Sequence, residues 1–276
     1  MSRSDQIIQF LKKNGIKDAK ISPLAGDASF RRYEHVEHDG MVKILMDAPP
    51  EFEDTKPFYA IAEFLSCSDL NSPKIYAKDF ENGFLLLEDL GAGLFKTVLE
   101  QHPDRELELY RNAVDELVRL NACEVPPKLS FGEGDYELSH YDMDMLLAEI
   151  SLFTDWYYPA LTGNRLRSDK RKVFIDLWRS VLKDVSAANE CLVLRDYHAE
   201  NLVDLGNGKV GQLDFQDAVI GHSAYDLVSL LQDSRRDATV ETEEKLIKYF
   251  IEKMMRDEGQ FRADYAVLGA QRSVKI

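Results

Sequence analysis

The sequence predicts an α+β protein in two lobes, β-rich first and helical second. Three observations predict it. Up to Leu90 the apolar residues fall in short runs split by turn residues. From Leu94 onward they recur at helical spacing over long segments. Between the two textures, EDLGAG (88–93) sets two glycines in a short polar stretch, which predicts a joint. We divide the 276 residues into a first lobe at 1–92 and a second at 93–276.

Taken in order, SDQIIQFLKKN (4–14) predicts a helix capped by Ser4, with Ile7, Ile8 and Leu11 on one face and Gly15 beyond its end. ISPL, SFRRYEHV and MVKILMD, separated by AGDA and EHDG, predict an antiparallel meander. APPEFEDT reads as a loop and KPFYAIAEFLS as a short amphipathic helix. KIYAKDF and GFLLLEDL predict two further strands that turn at Asn82-Gly83. Helices are expected over 104–122, 139–158, 168–188, near 223–234 and over 241–257, with a hairpin centred on Asn207-Gly208 between the third and fourth. The final QRSVKI reads as part of a helix, so helices that shape an acceptor pocket are expected to be incomplete.

Composition narrows the function classes. With 45% hydrophobic and 30% charged residues the chain has an ordinary globular balance, enough for a sizeable core. The formal net charge of −15 repels phosphate backbones and anionic lipid, which excludes nucleic acid and membrane surfaces as expected partners. No long apolar run or signal-peptide core is present, so a soluble, cytoplasmic location is expected. Cys67, Cys123 and Cys191 lack paired spacing and are expected to be buried thiols.

The chemistry concentrates at RDYHAENLVDLGNGKVGQLDFQD (195–217). Asn207-Gly208 is a strong hairpin turn. If Leu205 faces Val210, Asn201 lies opposite Asp214, beside the loop that carries Asp196. An amide and a carboxylate there suit Mg²⁺, which takes few protein oxygens and keeps water or phosphate as its other ligands. Asp196 is placed to accept a proton from a substrate hydroxyl. D-x-x-x-x-N, a hairpin, and a return strand ending in D-F together form the phosphotransfer arrangement of kinases.

On these residues, with AYDL (224–227) following, the chain resembles the aminoglycoside phosphotransferase-like kinases, whose pattern is roughly H-G-D-x-H-x-x-N, a hairpin, D-[FW], then Y-D-L. It is more similar to the bacterial kinases of the anomeric hydroxyl of N-acetylmuramate and N-acetylglucosamine. That likeness runs through PLAGDASFRRY (23–33), ILMDAPPE (44–51), FLLLEDLG (84–91), LRDYHAENL (194–202), LDFQDAVIGHSAYDLVSLLQDSRRD (213–237) and YAVLGAQR (265–272). The resemblance implies a bilobal protein-kinase-like fold, ATP and Mg²⁺ as cofactors, and a small-molecule sugar substrate. It implies Asp196 as base, Asn201 and Asp214 as metal ligands, His198 as the family's loop histidine, and Asp226 as a buried acid bracing the loop. Asp217 either touches metal or substrate or caps a turn. Gly26 and Ser29 would cover the phosphates, and main chain around Glu88 and Leu90 would pair with the adenine edge.

Two departures bear on this. The family's strand lysine or arginine aligns with Met46, and Lys43 points to the opposite strand face. Either Lys43 serves after a local shift, or Arg31 or Arg32 holds the phosphates. Leu194 and Arg195 stand where aminoglycoside kinases have His-Gly, which argues against that substrate class. The loop 215–222 and the aromatic TDWYYPA (154–160) are expected to supply the sugar pocket. The alternatives are an aminoglycoside- or choline-type kinase, or a non-catalytic nucleotide-binding scaffold.

Overall fold

A computed structural model describes residues 2–24, 30–236 and 238–275. The chain opens with helix α1 (Arg3–Lys13). Its cap is Ser2, not Ser4: Ser2 Oγ accepts from the Asp5 amide at 3.2 Å while the Asp5 carboxylate accepts from the Ser2 amide at 3.0 Å. This reciprocal box satisfies two amides that the helix start leaves without partners. The buried face is Ile7, Phe10 and Leu11, and Ile8 faces outward.

Strands β1 (Lys20–Pro23), β2 (Arg32–His38), β3 (Met41–Asp47), β4 (Ile75–Asp79) and β5 (Phe84–Glu88) form an antiparallel sheet in the order β1-β2-β3-β5-β4. Helix α2 (Lys56–Cys67) connects β3 to β4. The period of two sorts each strand. Leu45, Phe84, Leu86 and Val36 pack on α1, whereas Met46, Leu85 and Leu87 join α2 in the main core. The turn at Asn82-Gly83 forms as expected, and Gly83 is required there. A Cβ on it would lie 1.8 Å from the Ala48 carbonyl oxygen, where the Ala48 amide donates to the Gly83 carbonyl at 2.9 Å.

The second lobe contains α3 (Phe95–Gln101), α4 (Glu106–Ala122), the small pair β6 (Lys128–Ser130) and β7 (Asp135–Glu137), α5 (Met143–Leu152), a π turn at 153–157, α6 (Tyr158–Thr162) and α7 (Ser168–Val181). Then follow β8 (Cys191–Val193), β9 (Leu202–Gly206), β10 (Lys209–Gln212), β11 (Val219–Gly221), α8 (Tyr225–Leu231), α9 (Val240–Met254) and α10 (Glu258–Lys275). The expected helices at 139–158 and 168–188 are each shorter and interrupted. The pairs β6–β7 and β8–β11 are three residues per strand, too short to leave a readable alternation.

The lobes meet at defined contacts. Asn71, between α2 and β4, accepts from the Gln212 amide at 2.8 Å and donates to the Val210 carbonyl at 3.2 Å. Phe58 of α2 lies 4.7 Å, ring centre to ring centre, from Phe215. Gly93 of the expected joint sits against β9: its carbonyl accepts from the Asp204 amide at 2.7 Å, and a Cβ would meet the Asp204 oxygen at 2.4 Å. Gly93 is therefore a point of close approach rather than of looseness. Of the thiols, Cys191 is buried, Cys123 half-buried and Cys67 exposed, which corrects the expectation that all three are interior. The end of a short helix that faces solvent carries Cys67 outward. No helix among the described residues is long and apolar enough to cross a membrane.

Candidate active site

Strand β8 delivers Leu194, Arg195 and Asp196 to the rim between the lobes. The chain turns sharply here. Arg195 takes a left-handed φ of 71°, and the Asp196 amide bonds back to the Leu194 carbonyl. Asp226, in the first turn of α8, accepts from the Leu194 amide at 2.7 Å and the Arg195 amide at 2.9 Å. It is buried, as expected for a brace. Burial pushes its carboxyl up to about 7, with the two amide donors pulling the other way.

The Asp196 side chain is 37% exposed, so a substrate hydroxyl has access to it. Asn201 Nδ2 donates to the Asp196 backbone carbonyl at 2.9 Å. That bond fixes the amide group and directs its oxygen away from the loop. The Asn201 carbonyl accepts from the Leu213 amide at 2.9 Å, which sets Asp214 one residue beyond it. The expected register is corrected by one residue. Val210 pairs with Asp204, not Leu205, because Leu205 is the extra residue of a bulge beside Gly206, itself at φ 79°. Leu213 thus lies opposite Asn201, and Asp214 is the next residue along the return strand.

Asp214 has a left-handed φ of 55° and is 27% exposed. Its Oδ1 accepts from Gln216 Nε2 at 2.8 Å, and Arg31 Nη2 approaches the same oxygen at 3.6 Å. Gln216 also donates to Asp217 Oδ2 at 3.3 Å, while the exposed Asp217 gives its backbone carbonyl to Arg195 at 3.4 Å. Gln216 thus ties both acids of DFQD together.

A divalent cation fits this donor set. Among the described residues no three His, Cys, Asp or Glu side chains converge as a metal cage. One carboxylate and one fixed carboxamide suit an ion such as Mg²⁺ that draws its remaining ligands from phosphate and water. His198 lies beneath, buried, with Nε2 3.5 Å from Asn201 Nδ2. Burial holds its imidazole below 6.5. Its Nδ1 has no hydrogen-bond partner among the described residues.

The cations sort themselves. Lys43 lies on the α1 face of β3, the side opposite Met46, with Nζ 4.6 Å above the Tyr76 ring. Strand alternation puts it there, so the expectation that it serves the site is corrected. Arg32 bonds Asp47 at 2.9 Å, on that same face. Arg31 is the one of the three that reaches the acids. Gly26 and Ser29 lie outside the described residues.

At the joint, the Glu88 amide is spent on the Lys74 carbonyl at 2.8 Å and its carboxylate accepts from the Lys74 amide. A base edge would therefore draw on the Glu88 carbonyl and on Asp89 and Leu90 main chain. The Leu90 side chain rests against Gly211 of β10. A groove of about 670 Å³ borders Glu88, Asp89 and Leu90 on the side of the α2–β4 connection, away from Asp196. TDWYYPA lies largely at the surface, with Asp155, Trp156, Tyr157 and Ala160 exposed. Trp156 is 74% exposed, and the polar and ring contacts of the segment run within itself and to α5 and α7.

Two residues that sequence reasoning passed over stand in the site, Glu149 and Arg272, while Gln216 was named only within the loop 215–222. Glu149 of α5 accepts from Tyr141, Arg195, Gln271 and Lys275. Arg272 of α10 donates to the Arg195 carbonyl at 2.9 Å and lies 3.7 Å from Asp196 Oδ1. The one signal was YAVLGAQR, which ends on Arg272 but names no role.

A β-lobe, a helical lobe and this acid–amide cluster between them define a phosphotransferase of the protein-kinase-like fold. The model of the phosphotransferase enzyme family matches residues 20–263, and the chain belongs to that family. It is 32% identical to the N-acetylmuramate/N-acetylglucosamine kinase of Caulobacter vibrioides, over 97% of this chain and 82% of that one. It is 34% identical to the protein of the same name in Pseudomonas aeruginosa, over 79% of this chain but 61% of that one. Among solved structures, a Plasmodium vivax ethanolamine kinase superposes with a TM-score of 0.69 at 13% identity, covering 98% of this chain and 78% of the other. An aminoglycoside-3'-phosphotransferase of type VIII gives 0.65 at 10%, covering 98% and 99%. At such identities these two show the fold.

Proposed function

We propose that the chain transfers the γ-phosphoryl group of ATP to the anomeric hydroxyl of N-acetylmuramate or N-acetylglucosamine. The observation that carries a kinase reading is the 2.9 Å bond from Asn201 Nδ2 to the Asp196 carbonyl. It couples an oxygen donor for a cation to an accessible carboxylate five residues before it. The acceptor reading is supported by the relatives at 32% and 34% identity.

In this reading residues 1–92 hold the nucleotide and 93–276 carry the acceptor and the reacting groups. Asp196 takes the hydroxyl proton as the sugar oxygen bonds to phosphorus and the bond to ADP breaks. Mg²⁺, held by Asn201 and Asp214, would supply charge neutralisation on the phosphates. Arg31, 3.6 Å from Asp214, would supply a cation for the phosphates. Asp217, exposed beside Asp214, faces the acceptor. Dependence on ATP and a free sugar would place the protein in the cytoplasm.

ADP release measured with N-acetylmuramate, N-acetylglucosamine, an aminoglycoside and choline tests this. Turnover with the N-acetylated sugars is expected. Turnover confined to aminoglycoside or choline would move the acceptor class, and ATP binding without turnover on any acceptor would favour a scaffold.

A further inference from the structure

The segment that presents Asp196 is strained. Arg195 holds a left-handed φ of 71° with a full side chain, a strained conformation that persists where its surroundings over-determine it. The contacts doing so can be named. Asp226 takes the Arg195 amide, Ser229 Oγ donates to the Arg195 carbonyl at 3.1 Å, and Glu149 accepts from the Arg195 guanidinium at 2.7 Å. Arg272 Nη1 donates to the same carbonyl at 2.9 Å and lies 3.3 Å from the Tyr225 hydroxyl.

Arg272 differs from the other three in reaching from the Arg195 carbonyl to the Asp196 side chain. Nη1 holds the Arg195 carbonyl, and Nη2 of the same planar fork lies 3.7 Å from Asp196 Oδ1. Its side chain is 3% exposed, and Nε has no hydrogen-bond partner among the described residues. Burying a guanidinium with a donor unpaired costs free energy that apolar packing alone would avoid. Its neighbours on α10 grip the same region, Gln271 at 2.8 Å and Lys275 at 3.0 Å from Glu149.

We infer that Arg272 is a positioning residue of the active site: its fork fixes the left-handed Arg195 turn and aims the Asp196 carboxylate, so that the last helix of the chain sets the geometry of phosphoryl transfer. The inference rests on Asp196 being the reacting carboxylate. Arg272 itself need touch neither sugar nor nucleotide.

The test compares wild type, Arg272→Met and Arg272→Lys by steady-state kinetics and by amide hydrogen exchange of the segment 194–201. The Met variant keeps much of the apolar stem and loses the fork. Its kcat is expected to fall about 10²-fold with both KM values within about threefold, since misplacement of a reacting group acts on turnover. Exchange in 194–201 should rise while that of α9 stays as in wild type. The Lys variant keeps one donor and should fall between the two. It also serves if the Met variant does not fold. Wild-type kcat in either variant, or unchanged exchange in 194–201, would overturn the inference. A wild-type protein that phosphorylates no sugar would sink the kinase reading instead, and the exchange comparison would still decide whether Arg272 holds the turn.

Discussion

Arg31, just before β2, lies 3.6 Å from Asp214, two residues beyond the β9–β10 hairpin. The first lobe thereby places a cation on the acid that is the candidate metal ligand. Lys43, two strand positions from Leu45 on the α1 face, has no such path.

The first prediction follows from that contrast. Arg31→Ala is expected to raise the KM for ATP about tenfold, as removal of one charge-assisted phosphate contact does. Lys43→Ala should leave it near wild type. Initial-rate kinetics against ATP check both. A Lys43 effect larger than the Arg31 effect would return the phosphate role to the strand lysine.

Metal dependence is the second. With one carboxylate and one carboxamide as the candidate protein ligands, turnover should vanish in a chelator and return with Mg²⁺. Asp214→Asn should weaken magnesium-nucleotide binding by calorimetry and lower kcat strongly. Full turnover in chelator refutes the assignment.

The third concerns pH and the Glu149 network. Burial disfavours the charge on Glu149, but Lys275, Tyr141 and Arg195 outweigh it and hold the carboxyl below 4.5. A carboxyl depressed in the folded state adds stability that is complete above its unfolded value and lost as pH falls through the folded one. Glu149→Gln should therefore lower Tm most at neutral pH, with the gap from wild type closing below about pH 4.5. Thermal melts at pH 7 and pH 4 measure it. A gap that widens on acidification contradicts the network.

Much of this was legible because short-range chemistry sets it. Asn207, Gly208 and Gly83 turn where their tolerance of positive φ predicts. The spacing of Asp196 and Asn201 brings the amide onto the aspartate carbonyl within one loop. What was not legible depends on tertiary neighbours. The bulge at Leu205 arises from a glycine on one strand and shifts the register without changing the apolar pattern. Ser2 and Ser4 are equivalent caps on paper, and the reciprocal bond to Asp5 decides between them. Glu149, Arg195 and Arg272 meet from three distant helices and loops, and no local pattern predicts that a buried carboxylate and two guanidinium groups brace one turn.

The fourth prediction is that Asp196→Asn keeps the shape of the loop and removes the proton acceptor. We expect kcat to fall about 10²-fold or more with ATP affinity little changed. Nucleotide titration alongside turnover checks the split. Near wild-type turnover would move the base elsewhere, with the exposed Asp217 next in line.

The central claim is phosphoryl transfer to an anomeric hydroxyl, and phosphorus NMR of the product tests it most directly. Wild-type protein incubated with ATP, Mg²⁺ and N-acetylmuramate or N-acetylglucosamine should give a sugar phosphate whose phosphorus couples to the anomeric proton. The signal should be absent with Asp196→Asn. A phosphorus coupled to the protons at the 6-position, or no sugar phosphate from either sugar, would contradict the account.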